Sequence, residues 1–92
     1  MYCITKWCKA ITDDHKDQYT HRLSKMKQKL IDKYGSVPTL YRFRLVDSDD
    51  EVYAYGIGTD NSSFAPLEKY EPLYGCTDIQ YKNPETGIYE SL

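Results

Sequence analysis

No uninterrupted apolar run approaches the ~18 residues that a membrane span needs, which excludes a transmembrane helix. Five glycines and four prolines among 92 residues exclude a collagen-like or low-complexity chain. No basic-then-apolar leader opens the sequence, so neither export nor targeting is expected. Cysteine is scarce and odd in number, at Cys3, Cys8 and Cys76. That argues against a disulfide framework and for a reducing, cytoplasmic setting. A zinc site would need a fourth ligand and paired spacings, whereas Cys3 and Cys8 are five apart and His15 and His21 six apart. No metal and no cofactor are therefore expected. The length fits a single small domain over residues 1–92, with one core and little margin of stability.

What the chain does have is tyrosine, ten of them, beside Phe43, Phe64 and Trp7. Tyrosine suits half-buried sheet surfaces and contact surfaces, because its ring is apolar and its hydroxyl can stay wet. Charge is divided along the chain. Residues 1–46 hold ten Lys/Arg and four Asp, a net of +6, and residues 47–92 hold two Lys and ten acids, a net of −8. The total of −2 hides a dipolar molecule.

Hydrophobic periodicity predicts an α+β fold. Tyr2 to Lys9 alternates as a strand, with Tyr2, Ile4 and Cys8 on its better core face. Residues 12–34 read as one amphipathic helix. Thr12 can cap it, Asp13, Asp14 and Asp17 suit its positive end, and Gly35 and Pro38 close it. Tyr19, Leu23, Met26, Leu30 and Tyr34 form its apolar stripe. Strands follow at Leu40 to Asp47 and Glu51 to Gly58, joined by a turn at Ser48-Asp49-Asp50. A three-residue loop would put Tyr41, Phe43 and Leu45 on one face with Tyr53, Tyr55 and Ile57, leaving Arg42 and Arg44 outward. That register is preferred, since it gathers every large apolar side chain. Residues 59–75 read as an irregular loop, long enough to be functional or to hide a short element. Thr77 to Lys82 and Ile88 to Ser91 close the chain as a hairpin around Asn83-Pro84-Glu85-Thr86-Gly87. The expected order is β-α-β-β-(irregular loop)-β-β, the helix packed on a mostly antiparallel sheet of about five strands.

Catalytic and ligand motifs fall short one by one. Gly56-Ile57-Gly58 lacks a third glycine and a following helix. Asp47, Asp49 and Glu51 have the spacing of the first calcium-loop ligands, but Val52 and Gly58 stand where glycine and glutamate are needed. Cys76 as a nucleophile would need His15 or His21 beside it, which no spacing enforces; this is the small cysteine/histidine enzyme alternative. No catalytic residue is assigned.

The expected function is a non-catalytic binding or regulatory protein. Its surface would consist of Asp47, Asp49, Asp50, Glu51, Glu68 and Glu71 interleaved with Tyr53, Tyr55, Tyr70 and Tyr74. Acids would set partner choice and on-rate, and desolvated rings affinity, on a protein partner with a basic surface. In size and charge layout, though in no motif, the chain is similar to small inhibitor and accessory proteins of phages and mobile elements. The alternative is a nucleic-acid-binding module. At 100° per residue Arg22, Lys25, Lys29 and Lys33 share one helix flank, and with Arg42 and Arg44 they form a basic patch. Either a charged face or an edge strand would also allow a homodimer.

Overall fold

In the computed structural model, the structure describes residues 1–8 and 19–92, with backbone alone for 19–22 and Leu73. The expected helix start at Thr12, the acids Asp13, Asp14 and Asp17, and His15 lie outside the described residues. Five strands, β1 (Tyr2–Trp7), β2 (Tyr41–Val46), β3 (Val52–Gly58), β4 (Asp78–Lys82) and β5 (Tyr89–Ser91), form one antiparallel sheet in the order β1-β3-β2-β4-β5. Helix α1 (Tyr19–Tyr34) precedes β2, and helix α2 (Ala65–Tyr74) lies between β3 and β4. The α+β class and the strand succession are those expected from sequence.

The second helix corrects the irregular segment expected at 59–75. Pro66 and Pro72 argue against a helix on propensity, yet each is tolerated here. Pro66 sits in the first turn, where no intrahelical amide bond is lost, and is itself fully buried. Pro72 lies in the last turn, and Gly75 closes the helix with φ +79, its amide donating to the Glu71 carbonyl at 2.9 Å. Ser63 Oγ accepts from the Ala65 amide at 3.1 Å at the other end. Burial of Leu67 and Tyr70 outweighs the weak propensity.

The preferred hairpin register is also overturned. Asp47 and Glu51 do bracket the turn, the Asp47 amide donating to the Glu51 carbonyl at 3.1 Å, and Val46 pairs with Val52. Immediately after, the register shifts, and Leu45 pairs with Ala54. Tyr53 is the extra residue of a bulge. One extra residue reverses the alternation. Phe43 therefore stands opposite Gly56 and Leu45 opposite Ala54, while Arg42 stands opposite Ile57 and Arg44 opposite Tyr55. A Cβ at Gly56 would overlap the tip of the Phe43 ring. The small residues of β3 face the core because a large ring occupies the space above them.

The two helices cover opposite faces. Leu67 and Tyr70 of α2 pack with Ile4, Phe43, Leu45, Ala54, Ile79 and Tyr81 in the main core. Met26 and Leu30 of α1 pack on Cys3, with Leu23, Leu40 and Ile57 at the margin. The closing turn forms as expected. Asn83 Oδ1 accepts from the Glu85 amide at 2.9 Å, and Gly87 adopts φ +74.

The Phe43–Gly56 contact yields a stability prediction. Gly56→Ala costs about 1–3 kcal/mol by overpacking. Phe43→Ala costs about 3–5 kcal/mol by cavity formation. Because both act on one contact, chemical denaturation of the double variant shows a loss smaller than the two single losses together. Additive losses would show that the ring does not lie over that glycine.

Candidate functional site

The reversed register assembles a side-chain cluster on the sheet face away from α2. Four neighbouring strands contribute to it: Tyr55 from β3, Arg42 and Arg44 from β2, Gln80 from β4, Tyr89 and Ser91 from β5. Helix α1 packs against β1 at the far side of this face.

Arg44 is the centre of the cluster. Its Nε donates to Gln80 Oε1 at 2.6 Å, and its guanidinium lies 4.4 Å from the Tyr89 ring centroid. Gln80 is buried, and its Nε2 donates to Ser91 Oγ at 3.4 Å. Ser91 Oγ in turn donates to Asp78 Oδ2 at 2.6 Å. This row of hydrogen bonds across β2, β4 and β5 fixes the plane of the guanidinium. Among the described residues only its Nε is committed to a hydrogen bond, so the forked terminal nitrogens keep their donors for a ligand. Tyr55 meets Tyr89 edge-on at 6.0 Å. Burial raises the Tyr89 phenol pKa and Tyr55 adds to the rise, while Arg42 and Arg44 pull it down. Tyr89 therefore feels the other three side chains electrostatically.

The acidic and tyrosine residues expected to interleave are separated. Asp47 organises its own turn, Oδ1 accepting from the amides of Asp49 at 2.8 Å and Glu51 at 3.0 Å, which accounts for the calcium-like spacing. Asp49, Asp50 and Glu51 are exposed at that tip, and Glu68 and Glu71 on the outside of α2. Tyr70, only 7 % exposed, meets Trp7 edge-on at 5.2 Å, and Tyr74 stacks on Tyr70 at 6.0 Å. Tyr53 is half-buried against the main core, and Tyr55 belongs to the arginine face.

The basic patch is also divided. Lys25 and Lys29 line the outer edge of β1, where Lys69 of α2 joins them. The Lys33 ammonium lies 5.2 Å from the Tyr34 ring centroid. The Arg22 side chain lies outside the described residues. Arg42 and Arg44 stand two strands away, among the tyrosines. Cys76 is fully buried, and burial pushes its thiol pKa up, keeping it protonated and unreactive. His15 lies outside the described residues, as does the His21 side chain.

Sequence reasoning missed Tyr89 and Gln80 as members of a site, because only the register brings them to Arg44. The usable signal was the alternation Ala54, Gly56, Gly58, whose small side chains mark the face that receives a ring from β2. The chain matches no protein-family model, no curated protein and no solved structure.

The phenols make stability depend on alkaline pH. Burial raises Tyr2, Tyr81 and Tyr89 above the ordinary 10.0. The folded state thus favours the protonated phenol. The stability contributed is complete below that ordinary value and is lost as pH rises through the higher folded values. The melting temperature is expected to fall as pH rises above the ordinary phenol value, and Tyr89→Phe to reduce that fall. A Tm unchanged up to pH 12 would contradict the burial of these hydroxyls.

Proposed function

We propose that this protein is a non-catalytic binding domain that takes single-stranded nucleic acid on the open sheet face around Arg44. The observation that carries this reading is the register, which sets two guanidinium groups beside two phenol rings on a face that, among the described residues, no helix covers at β2, β4 and β5. A guanidinium fork matches phosphate oxygens in two parallel hydrogen bonds. Tyrosine rings offer faces on which unpaired bases stack, at about 1–3 kcal/mol per base. Lys6, opposite Tyr55, and Lys82, two residues from Gln80, extend the cationic character along the same face.

The net charge of −2 does not oppose this reading, because the sheet divides the charge. The described part of α1 carries Arg22, Lys25, Lys27, Lys29 and Lys33 against Asp32, on one face. Helix α2 carries Glu68 and Glu71 against Lys69, on the other. An anionic strand on the arginine face meets cations from the sheet and from α1, and the acids of α2 lie behind the sheet.

The exposed acids support a second reading, a protein partner with a basic surface docked on Asp49, Asp50, Glu68 and Glu71. It ranks below the first because Tyr53, Tyr70 and Tyr74, which would supply its affinity, pack inward. In both readings the protein works in a reducing cytoplasm, where its three cysteines form no disulfide.

Anisotropy of a labelled single-stranded oligonucleotide tests the first reading. We expect saturable binding that weakens with salt, with a log–log slope of about −1.4 for two phosphate contacts and about −2.8 if Lys6 and Lys82 also engage. Arg44→Lys is expected to weaken binding several-fold although charge is kept, since an ammonium cannot replace the stacked fork. No binding at low salt, or equal binding of duplex, would overturn the reading. Capture of a protein partner that is lost with Asp49→Lys and Asp50→Lys would favour the second.

A further inference from the structure

A separate groove runs along the outer edge of β1, enclosed by α1 on one face of the sheet and α2 on the other. It has a volume of about 310 Å³. Its floor is apolar, with Ile4 and Met26 buried beneath it and the Tyr70 ring at one side. Its rim carries three lysines, Lys25 and Lys29 one turn apart on α1 and Lys69 on α2. Lys69 holds its ammonium 5.4 Å from the Tyr70 ring centroid, at the boundary between rim and floor. Like charges one helical turn apart repel, and a third ammonium from the facing helix adds to that repulsion. Asp32 of α1 is engaged elsewhere, accepting from Gln28 Nε2 at 3.0 Å. Two other grooves mix charges, Asp60 with Lys69 in one and Glu85 and Glu90 with Lys82 in the other, whereas this one is lined by lysines without a carboxylate.

We propose that this groove binds a small amphipathic anion, an apolar body on the Ile4–Met26–Tyr70 floor with its carboxylate or phosphate head among Lys25, Lys29 and Lys69. The volume lies at the small end of ligand sites, about 300–1,000 Å³, which limits the body to a short chain or a single ring. The negative head relieves the repulsion among three ammonium groups, and the floor excludes water from the apolar body. The inference is independent of the arginine face, which lies two strands away.

Met1 and Met26 are the two methionines of the chain, and both line the groove. Methyl-labelled methionine therefore reports on it directly by NMR. Decanoate, titrated below its micelle concentration, is expected to shift the Met26 methyl saturably with one site per chain. The combined Lys25→Gln, Lys29→Gln and Lys69→Gln variant is expected to weaken binding at least about tenfold. Lys27→Gln, exposed on α1 and outside the groove, is expected to leave it unchanged. Decanol serves as the neutral probe and inorganic phosphate as the bare anion, and both are expected to bind more weakly. Decyl phosphate against decanoate ranks the two head groups. No saturable shift, decanol matching decanoate, inorganic phosphate matching decanoate, or full affinity in the triple variant would each overturn the proposal.

Discussion

The ring of Phe43 lies over the bare backbone of Gly56, and the composition of both sheet faces follows from that contact. Once a large ring from β2 fills the space above β3, the β3 residues on that face must be small, as Ala54, Gly56 and Gly58 are. Tyr55 of β3 and the two arginines of β2 are then left on the opposite face, while Tyr41 and Tyr53 stay against the main core. The Tyr53 bulge makes this possible. The turn itself closes with the odd spacing its residues dictate, and the single extra residue then reverses the alternation for the rest of the ladder. A local irregularity of one residue decides which side chains of β3 share a face with those of β2.

Much of the fold was legible from periodicity, and the failures have physical causes. Strands β1 to β5 and the described part of α1 fall inside the ranges their alternation predicts, because burial on one face imposes period two or 3.6. Helix α2 was hidden by Pro66 and Pro72, which lower local propensity without stopping a helix whose buried side is anchored by Leu67 and Tyr70. The register was misjudged by assigning the largest side chains to the core. The core instead took one large side chain per position from β2, with glycine or alanine opposite it. The site was less legible than the fold, since Arg44, Gln80 and Tyr89 are far apart in sequence and are joined only by the order β2-β4-β5.

The division of charge along the sequence survives folding in altered form. The basic half supplies α1 and β2 and the acidic half supplies α2 and the hairpin tip, with the sheet standing between the two helices. Among the described residues the cations do not merge into one patch. Two arginines join tyrosines on the open sheet, and two lysines of α1 join Lys69 across the β1 edge. These environments favour different ligands. A planar guanidinium held on a ring recognises oxygens by direction, whereas flexible ammonium groups over an apolar floor act as mobile point charges.

Arg44 is costly to hold in one orientation unless binding benefits from it. A free arginine side chain loses about 2 kcal/mol of rotamer entropy when fixed. Here the loss is already incurred in the unliganded fold, through the hydrogen bond to Gln80, the stacking on Tyr89 and the row that continues through Ser91 to Asp78. Preorganisation of this kind removes an entropy cost from the binding step and so raises affinity without adding a contact. The same row also has a structural role, since it satisfies both ends of the buried Gln80 amide. Under the proposed reading, the arrangement is a guanidinium kept ready for an oxyanion.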